Sequence, residues 1–437
     1  MPKKINVCFI TEDFYPDFIG GQGIYGYHLT QELAKMGQQV TVLAEKRDER
    51  EKFWEQYNKD NKTFSIFEQI GRLRRFFLPS GKRGVSVDPS TEGTPGLPEV
   101  RKTSKRPLLA RNAKVLLIPF CFSNQLLLAL FEYLYFIFKL KNQQFDIVHA
   151  NQLSGLFFAL FKPSNVKKVI ISAHNTNYDM NKTTNSFIKR ILYLPLIFLE
   201  KIMYRHSDGL LFNSESEKND LANYYSVKNK KLEVAYLGTP DIIFSPSERL
   251  KYRSQIRKKL GIKIDEKIVL YVGRIVKKKR VDNLIKALII LRNQGLKVTG
   301  IIIGRGNLLT SLSKNAPDFI KLLGFIHDAK PYFLASDIFV TTGVAEGGIA
   351  LSALEAAHYA LPLILSPDDS TVPILENGLN GYRADPNSPA DIAAQILKVI
   401  PFCGKMGKES LKFAKLYTWK RTAGETANFY ASLLRKT

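Results

Sequence analysis

The stretch 267-KIVLYVGRIVKKKRVDNLIKALIILRNQG-295 decides the fold class of this chain. It begins with an apolar run of strand length, and after position 281 the apolar residues recur at the three- and four-residue spacing of an amphipathic helix. A second apolar run, 298-VTGIIIG-304, follows directly. The order strand, helix, strand is typical of a parallel sheet that is covered by helices.

The same plan occurs near the amino terminus, where 5-INVCFI-10 precedes the helical pattern 24-IYGYHLTQELAKMG-37 and the apolar run 40-VTVLAE-45. A chain of 437 residues has room for two or three domains. We therefore expect two α/β units, one after the other. Three further apolar runs end in polar residues and are predicted to be buried strands of the first unit: 146-DIVHA-150, 168-KVIISAH-174 and 209-GLLFNS-214.

Two segments without regular periodicity interrupt this plan. The segment 237-LGTPDIIFSPSE-248 contains one glycine and two prolines, which makes it the best candidate for an interdomain linker. Residues 79–107 are rich in proline, glycine, serine and charge, which predicts a mobile surface insertion. The apolar segment 115–139 contains Pro119 and Glu132, so we expect an irregular stretch and one apolar helix there and not a membrane span.

The charge balance favours anionic partners. The chain carries 64 Lys+Arg against 40 Asp+Glu, a formal net charge of +24, although a basic proteome or solubility would also account for such an excess. Residues 186–205 are predicted to form a helical stretch that is interrupted at Pro195. The basic and aromatic segment 185–205, with residues 72–79, is a candidate for docking on an anionic membrane surface. Nucleic acid is not expected as a partner, because the chain has no aromatic–basic recognition motif.

The cysteines and the amino terminus indicate a cytoplasmic protein. Cys8, Cys121 and Cys403 lie far apart and lack metal-ligand spacing, which is typical of thiols in a reducing compartment. The start MPKKINVCFITEDF has only a short apolar run and no small-residue cleavage site, so it is not expected to be a signal peptide. No acidic cluster with metal-binding spacing stands out, and no metal or cofactor is expected.

Two cations occupy the loop after the strand that opens the second unit. Arg274 ends this strand, and Lys279 precedes the following helix by two residues. In open parallel sheets ligands bind at the carboxyl ends of the strands, and two cations near a helix start form a strong site for a diphosphate. A solvated basic loop is the alternative, and it is the simpler account of Lys277 and Lys278.

Two glutamates bracket a glycine-rich turn further along the chain. Glu346 precedes Gly347 and Gly348, which form a tight turn, and Glu355 lies inside the helical pattern 350-ALSALEAAHYA-360. Carboxylates accept hydrogen bonds from sugar hydroxyls, so one glutamate could bind a hexose and the other a ribose. An acid that merely stabilises a helix start or the protein surface is the alternative.

Other polar and small residues also follow the ends of predicted strands. His149 and His174 each follow an apolar strand; His174 is the better candidate for a cleft residue, and a structural hydrogen-bonding role is an equal alternative for His149. Gly21, Gly23 and Gly26 match the spacing of a dinucleotide fingerprint, but the nine residues 11-TEDFYPDFI-19 follow the preceding strand before the first glycine, Gly20, which argues against an NAD site. With Gly20 they allow backbone amides to approach a ligand at a helix start.

These residues together resemble the retaining family 4 glycosyltransferases of the GT-B fold. The resemblance covers almost the whole chain and is most specific in its second half. It rests on 16-PDFIGGQGIYGYHLTQELAKMGQQVTVLA-44, 146-DIVHA-150, 172-SAHN-175, 208-DGLLFNS-214, 272-VGRIVKKKRVD-282, 303-IGRGNL-308, 322-LLGFIHD-328, 346-EGGIALSALEAA-357 and 373-PILENGLNGY-382.

The resemblance implies two Rossmann-like, doubly wound parallel-sheet domains that face a cleft. Residues 1–240 would form the acceptor-binding domain and residues 241–415 the nucleotide-sugar-binding domain. Residues 416–437 would form a helix that crosses back to the first domain.

The resemblance also assigns roles to single residues. Arg274 and Lys279 would hold the donor diphosphate, Glu355 the ribose, and His174 would lie near the donor sugar. The loop with Gly20, Gly21 and Gly23 would approach the phosphates or the acceptor. The remaining donor-binding residues would be Gly324 and Phe325 near the base, and Glu346, Gly347, Gly348, Ile349 and Ala350 near the sugar.

The chain departs from the family in one spacing. Glu346 and Glu355 have eight residues between them, one more than is usual, so either the loop bulges at Glu346 or Gly347 takes its place.

The implied activity is transfer of a sugar from a nucleoside diphosphate, with UDP favoured over GDP or ADP, to a saccharide or lipid-linked acceptor in cell-envelope glycan or glycolipid synthesis. A catalytically weak or inactive nucleotide-sugar-binding subunit is the alternative. A glycosyltransferase with this activity would act in the cytoplasm or on the inner face of the cytoplasmic membrane.

Overall fold

The fold consists of two α/β units, each built on a parallel sheet. The computed structural model describes residues 4–12, 14, 21–45, 113–118, 125–174, 176–184, 186–227, 230–240, 242–326, 328–343, 351–367 and 374–435. The predicted insertion 79–107 and the basic residues 72–79 lie outside these ranges.

The first sheet has seven strands in the described part of the chain, and all of its strand pairs are parallel. Their order is β3-β2-β1-β4-β5-β6-β7. Strands β2 and β3 therefore lie on one side of β1, and strands β4 to β7 lie on the other side. In register, Val7 of β1 lies between Val40 of β2 and Ile147 of β4. The strands are β1 Asn6–Thr11, β2 Gln39–Glu45, β3 Ala113–Ile118, β4 Phe145–Asn151, β5 Val166–Ser172, β6 Gly209–Phe212 and β7 Lys231–Val234.

The second sheet has six parallel strands in the described residues, in the order β10-β9-β8-β11-β12-β13. Strands β8 and β9 have six residues each, whereas β10, β11, β12 and β13 have three residues each. The strands are β8 Lys267–Val272, β9 Val298–Ile303, β10 Ile320–Leu322, β11 Ile338–Val340, β12 Leu363–Leu365 and β13 Gly381–Arg383.

The helices cover both faces of the two sheets, as the alternation of strands and helices predicts. Those of the first unit are α1 Gly21–Lys35, α2 Gln125–Leu140, α3 Leu156–Leu160, α4 Asn177–Thr183, α5 Phe187–His206 and α6 Glu215–Tyr225. Those of the second unit are α7 Pro246–Leu260, α8 Val281–Asn293, α9 Leu309–Asn315, α10 Lys330–Ala335, α11 Leu351–His358, α12 Pro389–Val399 and α13 Cys403–Ala414, followed by α14 Trp419–Leu434.

Helix α14 follows the second unit in sequence but packs on the first. Its residues Trp419, Phe429 and Tyr430 belong to the same buried cluster as Val7 and Leu33 of the first sheet and its cover. The chain passes between the units at two adjacent places, where the amide of Thr239 donates to the carbonyl oxygen of Tyr417 at 3.2 Å. Each unit therefore has its own core, and that of the first unit is completed by the last helix.

Two local predictions differ from the structure. Strand β3 occupies Ala113–Ile118, where we expected irregular backbone, because the apolar run before Pro119 pairs along the whole length of β2. Helix α5 runs without interruption through Pro195, where we expected a break. Proline lacks one amide donor, and its ring lies on an exposed side of this helix, where water can solvate the carbonyl oxygen that is left without a partner.

Candidate active site

The carboxyl ends of the strands of the second sheet are held together by hydrogen bonds between their exit loops. The amide of Gly304 donates to the carbonyl oxygen of Gly324 at 2.8 Å, and the amide of Ile275 donates to that of Arg305 at 2.9 Å. The hydroxyl of Thr342 donates to the carbonyl oxygen of Lys279 at 2.7 Å. The described loops that follow β8, β9, β10 and β11 are thus parts of one connected edge.

Arg274 and Lys279 both lie at this edge, as the sequence predicts. Arg274 follows β8, is exposed, and its guanidinium has no ion-pair partner among the residues that the structure describes. The hydroxyl of Tyr271 donates to the carbonyl oxygen of Arg274 at 2.9 Å and holds the strand exit. Lys279 ends a short 3-10 turn before α8 and is 8% exposed. An exposed cation and a largely buried one therefore share the loop between β8 and α8.

Two glycines allow the neighbouring loop to approach closely. A Cβ on Gly304 would lie 1.8 Å from the carbonyl oxygen of Gly273, and one on Gly306 would lie 2.1 Å from that of Ile275. Gly304 also has φ +150, which disfavours any other residue. The loop after β9 therefore lies against the backbone on both sides of Arg274 because it has no side chains at these positions.

Glu355 lies in the middle of α11 and is half-buried. Its neighbours Leu354 and Ala356 are fully buried, and burial raises the pKa of the Glu355 carboxyl to about 7. No salt bridge neutralises it within the described part of the chain. A carboxyl of this kind is half-protonated near neutral pH and gains from a ligand that donates hydrogen bonds to it.

Gly324 and Phe325 form the exit of β10. Gly324 has φ +68, and its carbonyl oxygen accepts the hydrogen bond from Gly304 described above. The Phe325 ring is 61% exposed, and the guanidinium carbon of Arg305 lies 4.9 Å from its centroid. This pair presents a flat surface at the end of the same edge.

Several predicted site residues lie outside the described ranges, so their placement stays a prediction. They are Gly20, Glu346, Gly347, Gly348, Ile349 and Ala350. Gly21 and Gly23 are the first and third residues of α1; Gly21 is exposed and a Cβ on it would meet nothing within 4 Å, whereas Gly23 is buried.

His174 follows β5 at the carboxyl edge of the first sheet and is 4% exposed. Its Nδ1 lies 2.6 Å from Nδ2 of Asn213, and its ring meets the Tyr25 ring edge-on with centroids 4.7 Å apart. Its Nε2 is buried and has no hydrogen-bond partner among the described residues. Burial lowers the pKa of His174 to about 3, so the ring is neutral at pH 7.

His149 is buried, and both of its ring nitrogens have a hydroxyl partner within the protein. Its Nδ1 lies 2.5 Å from the hydroxyl oxygen of Tyr430, and its Nε2 lies 2.5 Å from Oγ of Ser172. The hydroxyl of Tyr25 lies 3.2 Å from the same Oγ. His149 is fully buried, and burial lowers its pKa to about 3. Of the two roles open for His149, these contacts fit the structural one.

Sequence reasoning missed Tyr25, Asn213 and Tyr430, which surround the two histidines. Asn213 offered a signal, because it is the polar residue that follows β6, next to the strand that precedes His174. Tyr25 and Tyr430 occupy apolar positions of helices and carry no distinguishing pattern. Within the described residues, no group of three or more metal-ligating side chains comes together.

Comparisons with known proteins agree with this architecture. The family model described as Glycosyltransferase Family 4 matches residues 19–241, and that described as Glycosyl transferases group 1 matches residues 253–401. An uncharacterised glycosyltransferase of Methanocaldococcus jannaschii is 26% identical over 317 residues, which are 68% of this chain and 78% of that protein.

Solved structures share the fold over nearly the whole chain. Sucrose-phosphate synthase from Thermosynechococcus elongatus has a TM-score of 0.70 at 17% identity and covers 99% of this chain and 100% of its own. Anabaena HepE in complex with UDP and glucose has a TM-score of 0.66 at 15% identity, over 98% of this chain and 100% of its own.

The two family models meet near the segment between β7 and α7, so each covers one α/β unit. Both sheets are parallel and doubly wound, and the predicted GT-B architecture of two Rossmann-like domains facing a cleft is confirmed. The chain belongs to the GT-B glycosyltransferases, with a family 4 domain followed by a group 1 domain.

Proposed function

We propose that this protein transfers a sugar from a nucleoside diphosphate to an acceptor hydroxyl and retains the anomeric configuration. The observation that carries the proposal is the pair Arg274 and Lys279 in the loop between β8 and α8. A diphosphate placed there meets two cations and lies near the amides at the start of α8. UDP is the favoured nucleotide, because HepE, with the same fold, has been solved with UDP and glucose.

The reaction breaks the bond between the anomeric carbon and the phosphate oxygen and forms a bond from that carbon to the acceptor oxygen. The acceptor proton leaves with the departing phosphate. Positive charge builds on the sugar and negative charge on the phosphate in the transition state. Arg274 and Lys279 would stabilise the phosphate charge, and preplaced donors of this kind are among the largest contributions to catalysis.

His174 and Glu355 complete the proposed donor site from the two domains. A neutral His174, with Nδ1 directed at Asn213, has Nε2 left to contact the donor sugar without adding a positive charge beside the developing oxocarbenium ion. Glu355 would accept hydrogen bonds from the ribose hydroxyls. Glu346 or Gly347 would contact the hexose.

The experiment is a thermal-shift screen of the full chain against UDP-, GDP- and ADP-sugars, followed by transfer assays with the sugar that binds. Proton NMR of the product then gives the anomeric configuration. We expect one nucleotide class to bind and the configuration to be retained. An inverted product would refute the retaining mechanism. Binding without transfer or hydrolysis would favour the alternative, a non-catalytic nucleotide-sugar-binding subunit.

We further propose that the acceptor is presented at an anionic membrane surface, on the inner face of the cytoplasmic membrane. The first domain has an exposed apolar surface, here called the basic apolar face, formed by one side each of α2 and α5. Helix α3 contacts both of these helices. The large exposed side chains of the basic apolar face are Leu127, Leu134, Phe138, Phe161, Phe187, Ile188, Ile191, Leu192, Leu194 and Phe198.

The charges of the basic apolar face all have one sign. The carboxylates of α2 and α5 are Glu132 and Glu200, and they are 0% and 1% exposed. The cations Lys139, Lys189 and Arg190 are exposed. Exposed apolar residues flanked by cations alone are typical of helices that lie in the interface of an anionic bilayer. None of the described helices has the length and apolar character needed to cross a bilayer.

Vesicle flotation tests this surface. We expect the protein to float with vesicles of phosphatidylcholine and phosphatidylglycerol at low salt and to be released at about 0.5 M salt, where charges are screened within a few ångströms. Ile188→Glu should abolish flotation, whereas Ile264→Glu, at an exposed position of the second domain, should not. Equal flotation of both variants, or none of the wild type, would refute membrane docking.

A further inference from the structure

Two buried carboxyl groups hold the chain segments that carry His174 and its partner Asn213. Glu200 belongs to α5 and is 1% exposed, and Glu217 belongs to α6 and is 8% exposed. Each of them accepts a hydrogen bond from the backbone of one of these segments. The proposed function gives neither carboxyl group a role so far.

Glu200 holds the start of α4, three residues after His174. Its Oε1 accepts hydrogen bonds from the backbone amide of Asn177 at 2.9 Å and from Nδ2 of the same residue at 2.8 Å. Its Oε2 accepts a hydrogen bond from the hydroxyl of Tyr225 at 2.5 Å. The carbonyl oxygen of His174 accepts from Nε2 of Gln22 at 3.3 Å. The chain is thus held at His174 and again at Asn177.

Glu217 holds the residue that contacts the His174 ring. Its Oε2 accepts a hydrogen bond at 3.0 Å from the backbone amide of Asn213, the first residue after β6. The backbone amide of Glu217 donates to Oγ of Ser214 at 3.0 Å, which fixes the first turn of α6. Nδ2 of Asn213 then lies 2.6 Å from Nδ1 of His174. The carboxyl group of Glu217 therefore acts on the ring through a single residue.

Burial makes both carboxyl groups costly. It raises the pKa of Glu200 and of Glu217 above the ordinary value of a glutamate. An apolar side chain would fill the same space without the cost of removing a carboxyl group from water. What a carboxyl group adds at each position is an acceptor for a backbone amide of the segment beside it.

The direction of the His174 ring depends on these segments, because the ring has few contacts of its own. Its Nδ1 meets Asn213, and its face or edge is otherwise set by the Tyr25 ring, whose centroid lies 4.7 Å away. Its Nε2 has no hydrogen-bond partner among the described residues. A shift of about 1 Å in a group next to the reacting atoms can lower a rate about a hundredfold.

We infer that Glu200 and Glu217 are positioning residues of the transfer reaction: they direct Nε2 of His174 towards the donor sugar by holding the two segments described above, and this inference rests on the proposed transferase function. The amide oxygen of glutamine accepts the same hydrogen bonds as a carboxylate oxygen. Glutamine should therefore replace either residue, whereas alanine should not. In Glu200→Gln the new amide faces Tyr225, whose hydroxyl can turn to accept a hydrogen bond from it.

A double-mutant cycle on turnover tests the coupling to His174. Glu200→Ala and Glu217→Ala should each lower kcat at least about tenfold, while the Kd of UDP, which the proposed function assigns to the second domain, stays unchanged. In a His174→Ala background the same substitutions should lower kcat by less than about twofold more, because the group that they position is absent. Glu215→Ala, at an exposed position of the same helix as Glu217, is the control and should match the wild type.

Two outcomes of these assays would overturn the inference. An equal loss of kcat in the wild-type and His174→Ala backgrounds would show a general effect on the fold and not an effect through His174. A loss of turnover in Glu200→Gln and Glu217→Gln as large as in the alanine variants would show that the negative charge acts and not the hydrogen bonds.

NMR of the His174 ring gives an answer without turnover. The chain has six histidines, so in protein labelled at histidine Cε1 the signal of His174 is assigned by its loss in His174→Ala. The ring current of Tyr25 makes this signal sensitive to the direction of the His174 ring. The alanine variants of Glu200 and Glu217 should move or split the signal, whereas their glutamine variants should leave it in place.

Glu217→Ala removes one hydrogen bond of the side chain among the described residues, so it serves alone if Glu200→Ala does not fold. An unmoved His174 signal in the folded alanine variants would refute the positioning role. If the wild type turns over no donor, the proposed function fails, and the NMR signal still decides whether the two carboxyl groups hold the ring.

Discussion

Nδ1 of His149 lies 2.5 Å from the hydroxyl oxygen of Tyr430, although 281 residues separate them in the chain. The contact joins the central strand β4 to the last helix, α14. From His149 the hydrogen bonds continue through Ser172 to Tyr25, whose ring lies against His174. The last helix is thus connected to the residue that we propose contacts the donor sugar.

Tyr430→Phe removes one end of this network, and we expect it to lower the free energy of unfolding by about 1–3 kcal/mol, because a nitrogen of buried His149 loses its partner. Thermal unfolding should show a lower midpoint. Tyr224→Phe is the control, because Tyr224 is 43% exposed and water can solvate its surroundings. Equal midpoints for the two variants would mean that the contact contributes no net stability.

Arg274→Ala should reduce transfer about a hundredfold, because loss of one preplaced donor to the leaving phosphate costs about 3 kcal/mol. The exposed side chain of Arg274 has no ion-pair partner among the described residues, so the thermal midpoint should not change. Lys277→Ala, in the same loop and also exposed, should retain activity. Steady-state assays decide, and normal turnover in folded Arg274→Ala would contradict the assignment of the diphosphate site.

Glu355 should make donor binding depend on pH. Its pKa of about 7 means that the carboxylate form, which accepts hydrogen bonds from ribose, increases from a minority at pH 6 to a majority at pH 8. We expect the affinity for UDP-glucose, measured by calorimetry, to rise up to about tenfold over this range. The diphosphate of UDP-glucose does not titrate there.

Glu355→Gln provides the comparison for this prediction. It should bind UDP-glucose more weakly than the wild type at pH 8 and with no rise between pH 6 and 8. A parallel rise in both proteins would show that another group causes the dependence on pH.

Glu132 should make the wild type less stable as the pH rises. Its folded-state pKa of about 8 lies above the ordinary value of 4.5, so between these values the folded protein holds a proton that the unfolded chain releases. The associated stability is complete below pH 4.5 and is lost as the pH rises through about 8. The loss is about 1.4 kcal/mol per pH unit.

Glu132→Gln has no such proton, so its stability relative to the wild type should grow between pH 5 and 8. Unfolding midpoints in urea at three pH values would measure this difference. Glu233→Gln, at an exposed position of β7, is the control and should give a constant difference. A constant difference for Glu132→Gln would mean that its carboxyl is charged in the folded protein.

The sequence was sufficient to place Arg274, Lys279 and His174 at the carboxyl edges of the two sheets, because each follows an apolar run with the length of a buried strand. Their roles in binding and catalysis stay predictions. The sequence was not sufficient for β10, β12 and β13, since three-residue strands are too short to show periodicity.

The contact between His149 and Tyr430 had no local signal either. It arises from packing between distant segments, and its residues are ordinary ones for a strand and an apolar helix position. Gly20 and the site residues from 346 to 350 remain predictions from the motif alone.

The packing of α14 on the first sheet has a consequence for biosynthesis. The cluster that contains Val7 and Leu33 also contains Phe429 and Leu433, so it cannot close until the ribosome has translated nearly the whole second sheet and its helices. At about 5–20 residues per second, tens of seconds pass between synthesis of β7 and arrival of its covering helix. During that interval one apolar side of the nascent polypeptide stays open, and we expect chaperones to engage it there.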